Sequence, residues 1–160
     1  MPPFQSSGNS LSWSLNHEIL RIEPWGSDSL RVRATCNPDL RDDLPGALLP
    51  PEQVPVDIHI GEQEASLRNG LIEARVTAAG RLGFYHAVTG AELLREEMTY
   101  FARAPQRWFK SLGSDLHRLE ARFQAYPGER LYGLGQQQHG KLDQKGCVID
   151  LFQHNTEVSI

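Results

Sequence analysis

Short runs in which apolar and polar residues alternate dominate the chain. Leu30, Val32 and Ala34 alternate with Arg31 and Arg33, so one side of an extended segment is apolar and the other charged. Residues 18–22, Glu-Ile-Leu-Arg-Ile, form a second such segment, and Pro24-Trp25-Gly26-Ser27-Asp28 between them has the chemistry of a turn. Together they predict a hairpin. Ile58-His59-Ile60 and Ala65-Ser66-Leu67-Arg68, with a turn at Gly61-Glu62, predict another short pair. Asn69-Gly70 is a strong hairpin signal, and beyond it Ile72, Ala74 and Val76 alternate with Glu73, Arg75 and Thr77. After a break at Gly80, Leu82, Phe84 and His86 resume the pattern. Strand after strand joined by tight turns predicts an all-β chain, an antiparallel sandwich or barrel.

Other segments are read less directly. Residues 92–101 and 119–125 fit either a strand or a short helix, and the β surroundings favour strand. The Pro-rich stretch from Pro38 to Pro55 is expected to be an irregular exposed crossing, because proline lacks the N–H that a ladder needs. Residues 1–15, rich in Ser, Gly and Pro, read as a flexible lead-in, and 16–160 as one sandwich domain. Cys147-Val148-Ile149-Asp150-Leu151-Phe152 is expected to be an apolar strand. Val158-Ser159-Ile160 reads as the rising edge of a further one, which makes the sandwich incomplete at its C-terminus.

Composition narrows the function classes. The 160 residues allow one domain, and 16 Lys+Arg against 20 Asp+Glu give a formal charge of −4. Scattered cations argue against a nucleic-acid partner, which calls for a basic stripe. No apolar run approaches the ~20 residues that cross a bilayer, so no membrane partner is expected. The first residues lack the basic and apolar regions of a secretory signal, and Cys36 and Cys147 read as reduced thiols, so the expected location is cytoplasmic.

Candidate chemistry is sparse. Gly133, Gly135 and Gly140 match neither a dinucleotide fingerprint nor a P-loop, so no cofactor is expected. His139, Cys147 and His154 lack zinc-site spacing, and no metal is expected. His59 and His86 read as hydrogen-bonded strand residues, His17 and His117 as exposed ones. Neither cysteine has a histidine neighbour in sequence, and no Gly-x-Ser-x-Gly elbow occurs. Glycoside chemistry needs two carboxylates about 5–5.5 Å apart for retention. Of the acidic residues, Asp42, Asp43, Glu96, Glu97 and Glu129 are expected on solvated faces or in turns. Asp143 and Asp150 have apolar neighbours and are read as structural hydrogen-bonding groups.

One ordered set of motifs is specific. Glu129-Arg130-Leu131-Tyr132-Gly133-Leu134-Gly135, then Leu142-Asp143-Gln144-Lys145-Gly146, then Gln153-His154-Asn155-Thr156, resembles the N-terminal region of glycoside hydrolase family 31, the α-glucosidase and α-xylosidase family. Ile22-Glu23-Pro24-Trp25 with Leu30-Arg31-Val32-Arg33 is similar to that family's opening hairpin. The resemblance implies a galactose-mutarotase-like β-sandwich, followed in the full enzyme by a (β/α)₈ barrel that carries the two catalytic Asp residues of a retaining mechanism. A barrel needs roughly 250 residues, so the catalytic carboxylates are absent and the chain alone is expected to be inactive. The resemblance further implies a sandwich loop that reaches the sugar pocket. Its closest match makes Asn155 and Thr156 the substrate-binding candidates, through an amide and a hydroxyl where many members carry Asp. Gln136 likewise stands where many members have Glu. The partner implied is a carbohydrate, an α-glucoside or α-xyloside, in the full-length context. Two other readings share the fold: a free-standing carbohydrate-binding or interaction module, with Trp13, Trp25 and Trp108 as possible stacking platforms, and an aldose epimerase-like enzyme.

Overall fold

A computed structural model describes residues 3–42, 49, 51, 54–97, 106–113, 116–133 and 140–151. These residues fall into two units, within 1–124 and 125–160. Among the described residues there is no helix, and the first unit is built from eleven antiparallel strands.

Four strands, β1 (Phe4–Ser7), β2 (Ser10–Leu15), β3 (Glu18–Pro24) and β4 (Leu30–Thr35), form one sheet in sequence order. Five more, β5 (Asp57–Ile60), β6 (Glu64–Asn69), β7 (Ile72–Thr77), β8 (Leu82–His86) and β9 (Glu92–Arg95), form a second. A ribbon of β10 (Arg107–Gly113) and β11 (Leu116–Ala121) completes the set. Both ambiguous segments thus contain strands, β9 and β11.

Register explains the core. In the first sheet Leu11 faces Ile22 and Trp13 faces Leu20, while Leu20 and Ile22 in turn face Ala34 and Val32. In the second, Ala65 faces Val76 and Leu67 faces Ala74, and these continue to Leu82 and Phe84. Because side chains alternate, each row lies on one side of its sheet. The two rows pack against each other as a single cluster, so the unit is a β-sandwich.

The reading of residues 1–15 as a flexible lead-in is corrected here. They contain β1 and β2, and Phe4, Leu11 and Trp13 are core residues. Serine-rich composition suggested a loop, but the two-residue spacing of Leu11 and Trp13 places both on the buried face. The expected strand over 147–152 is also corrected: residues 147–151 are irregular and Val148 is fully exposed. Alternation makes a strand only where a neighbouring strand completes the ladder, and the amide of Cys147 instead turns back onto the Gln144 carbonyl at 2.9 Å.

The outer face of the first sheet carries the charge expected of it. Arg21 and Arg33 stand directly opposite each other, a repulsive pairing on its own. Asp42 accepts from both, at 2.9 and 2.6 Å, and the Arg33 hydrogen bond is the main cause that holds its carboxyl below the ordinary range. Arg31 and Arg33 both donate to Glu23, and the Arg31 guanidinium lies 3.7 Å from the Trp25 ring centroid.

The two sheets are also tied through their turns. The buried Asn69 amide donates to the carbonyls of Gly26 (2.7 Å) and Ser29 (2.8 Å) in the β3–β4 turn. In return Asp28 accepts from the Leu71 N–H at 2.6 Å.

Candidate functional site

A buried ion-pair cluster of the first unit sits at the opposite end of the sandwich from those turns. Arg107, at the start of β10, is 6% exposed, and Glu96, just beyond β9, is 1% exposed. One Arg107 amine nitrogen, Nη1, is bound to both Glu96 carboxylate oxygens. Its Nε donates to Glu18 Oε1 at 2.7 Å, and Nη2 to the Gly80 carbonyl at 2.8 Å. Glu96 also accepts from the Leu82 N–H at 2.9 Å. Three elements therefore meet on one guanidinium: β3 of the first sheet, the β7–β8 turn, and the chain leaving β9. Burial pushes the Glu96 carboxyl above its usual range, against the opposing pull of Arg107 and the Leu82 amide.

The Trp13 ring closes the cluster. The Arg107 guanidinium carbon is 6.0 Å from its centroid, and its Nε1–H donates to the Ala78 carbonyl at 3.1 Å. This arrangement does not suit glycoside cleavage. A glycosidase pair flanks a space that holds a sugar, whereas Arg107 occupies the space between Glu18 and Glu96. The cluster ties the sheets together. Glu96, expected on a solvated face, is instead among the most buried side chains.

A shallow cleft lies nearby, between the β2–β3 turn and the end of β4, lined by Leu15, Asn16, His17, Glu18, Cys36 and Pro38 among others. It brings a histidine and a cysteine to one place, which sequence spacing did not show. No hydrogen bond joins them, so the pair lacks the contact that activates a thiol. Both cysteines are free thiols. His17 and His117 are exposed as expected, and so is His59, which was expected to be a bonded strand residue. His86 does play a structural part, its Nδ1 accepting from the Val88 and Thr89 amides at 3.3 Å. Of the three tryptophans, Trp13 is core, Trp25 is stacked under Arg31, and Trp108 is half-buried on β10. Among the described residues no group of three or more His, Cys, Asp or Glu could hold a metal ion. With no helix among them, the described residues hold none long and apolar enough to cross a membrane.

In the second unit Asp143 has the structural role assigned to it. Its Oδ1 accepts from the amides of Leu131 and Lys145, both at 3.0 Å. Those two bonds are the leading causes that hold its carboxyl below the ordinary aspartate value of 3.8. A depressed folded pKa favours this loop above the unfolded value and withdraws that support as pH falls through the folded one. An NMR titration should therefore show the Leu131 and Lys145 amide shifts moving together, with a midpoint below 3.8. A midpoint at or above that value would remove the role. The sugar-contact candidates Asn155 and Thr156 lie outside the described residues, as do Gln136, His139 and His154.

Comparison with known proteins places the chain. No family model matches it. It is 39% identical to a family 31 glucosidase, ORF2, of Pseudescherichia vulneris, over 95% of this chain and 32% of that protein. It is 30% identical to alpha-xylosidase A of Aspergillus niger, over 94% of this chain and 23% of that protein. The crystal structure of a GH31 alpha-xylosidase from a soil metagenome, complexed with xylose, superposes with a TM-score of 0.83 at 35% identity, over 98% of this chain and 25% of that one. The chain spans a third or less of the length of these proteins. Along nearly all of its own length, the chain is homologous to the N-terminal β-sandwich region of glycoside hydrolase family 31.

Proposed function

We propose that this chain serves as the N-terminal, non-catalytic sandwich of a retaining α-glycosidase of the α-glucosidase or α-xylosidase type, and contributes to carbohydrate binding beside the catalytic barrel. The observation that carries the reading is the superposition on an α-xylosidase along the whole described sandwich, at an identity well above chance. The fate of the acidic residues agrees with it: Glu18 and Glu96 are committed to Arg107, and Asp143 to backbone amides. In this reading Asn155 and Thr156 supply neutral hydrogen bonds to a sugar hydroxyl, where a carboxylate would supply a charged one.

The test is an assay of the purified 160-residue chain against aryl α-glucosides and α-xylosides. No turnover above a buffer blank is expected, and measurable hydrolysis would overturn the reading. Titration with xylose separates it from the stand-alone module, since a sandwich that completes its sugar contact only beside a barrel gives no saturable signal alone.

A further inference from the structure

The chain that follows β4 lends one carboxylate to the outer face of the first sheet, and three guanidiniums converge on it. Arg33 Nη2 lies 2.6 Å from Asp42 Oδ1, Arg21 Nη1 2.9 Å from Oδ2, and Arg31 Nη2 4.0 Å from Oδ1. The sheet itself sets this convergence. Arg21 on β3 stands directly opposite Arg33 on β4, and Arg31, two residues before Arg33, projects from the same face. The Trp25 ring lies against Arg31, and the Glu23 carboxylate accepts from both Arg31 and Arg33, so two of the three are held in place without Asp42. Glu23 offsets one of the three positive charges. The arginines keep a twofold excess for Asp42 to meet with a single charge.

Sheet and loop contribute unequally. The side chains of Arg21, Arg31 and Arg33 are 26%, 24% and 20% exposed, whereas that of Asp42 is 60% exposed. The cations are thus built into the sheet, and the anion is the most solvated member. Like charges directly opposite in a ladder are destabilising, so the pairing of Arg21 with Arg33 calls for an anion that bridges them. A carboxylate fits this place incompletely. Its two oxygens take Arg21 and Arg33, and Arg31 stays at 4.0 Å, beyond hydrogen-bonding reach. A phosphoryl group offers three free oxygens and close to two negative charges near neutral pH, one oxygen for each guanidinium and a charge that matches the excess. We propose that Arg21, Arg31 and Arg33 form a binding site for a phosphoryl group, as the free ion or on a phosphate ester, and that Asp42 is an internal stand-in which the ligand displaces. The site uses none of the sugar-contact candidates and stands apart from the function proposed above.

The experiment removes the stand-in. The 160-residue chain and its D42N and D42A variants are titrated with sodium phosphate at constant ionic strength and slightly alkaline pH, and the amide shifts of β3 and β4 are followed. Asp42 is exposed, so neither substitution touches the core. Both variants should bind phosphate saturably, with a Kd about tenfold or more below that of the unaltered chain. Adding R21Q to D42N should weaken binding again by about tenfold or more, because one of the two bridging donors is gone. Acetate, which offers only two oxygens and one charge, should bind D42N about tenfold more weakly than phosphate. Variants that bind phosphate no more tightly than the unaltered chain overturn the proposal. So does binding to D42N that R21Q leaves unchanged, which would be nonspecific attraction to the surface, and so does acetate that equals phosphate. Glycerol 3-phosphate separates the two sources of the ligand: an affinity at or above that for phosphate supports an ester, and a lower one supports the free ion.

Discussion

Replacing Arg107 with methionine destabilises the sandwich by about 3–5 kcal/mol, the cost of removing one partner from a buried ion pair. The loss comes mainly from what is left behind. Glu96 is 1% exposed, keeps only the Leu82 amide as a hydrogen-bond donor among the described contacts, and cannot reach water. Glu18 is better placed, because its side chain retains 18% exposure and can be rehydrated. Removing both buried charges in R107M/E96L should therefore recover most of the loss, since well-packed apolar replacements for a buried pair are often neutral or better. Urea unfolding of the three proteins, compared at constant m, reads the difference directly. A loss below about 1 kcal/mol for R107M, or a double variant weaker than the single one, would show that the cluster does not tie the sheets.

Gly80→Ala has the second largest expected effect, about 2–5 kcal/mol. Gly80 has φ of +82°, where an L side chain costs about 1–2 kcal/mol. A Cβ there would also stand 2.4 Å from Cη2 and Cζ2 of Trp13, which adds the roughly 1–3 kcal/mol of an overpacked core. The indole cannot swing away, because its Nε1–H is held by the Ala78 carbonyl and the ring lies in the core. Moving the Gly80 backbone instead would stretch the bond from its carbonyl to Arg107. Trp13→Phe removes the atoms in the way, so Gly80→Ala should cost less in that background, and a double-mutant cycle should show the coupling. Equal costs in the two backgrounds would place the strain elsewhere.

Both predictions concern residues whose importance was hidden in the sequence. The strands themselves were legible, because Leu20, Ile22, Val32, Ala74 and Val76 sit at two-residue intervals between turns rich in Gly and Asn. Asn69-Gly70 was legible as a turn, but its amide's grip on the β3–β4 turn was not, since the partners are forty or more residues away. Glu96 stands beside Glu97, and Arg107 beside Gln106, so local composition describes solvated surface. Their burial follows from Glu18, 89 residues from Arg107, and no periodicity reports a contact of that range. The Cys147–Leu151 run misled for the opposite reason: its pattern is right for a strand, and the neighbour that would complete the ladder is not there among the described residues. The motifs of the last thirty residues pointed to the family, while the sugar contact assigned through them rests on Asn155 and Thr156, which lie outside those residues.

The bonds between the sheets fall at the two ends of β3. Asn69 holds the turn that follows Pro24, and Arg107 holds Glu18, about 20 Å away at 3.3 Å per residue. A plate fastened by one pin can swivel about it, whereas a second pin at the far end leaves no rotation in the plane. The twist between the two layers is thus fixed by polar contacts at the rims, and the apolar interior has only to fill the gap. Loosening either rim should therefore let the layers turn relative to each other, while loosening the interior alone should not.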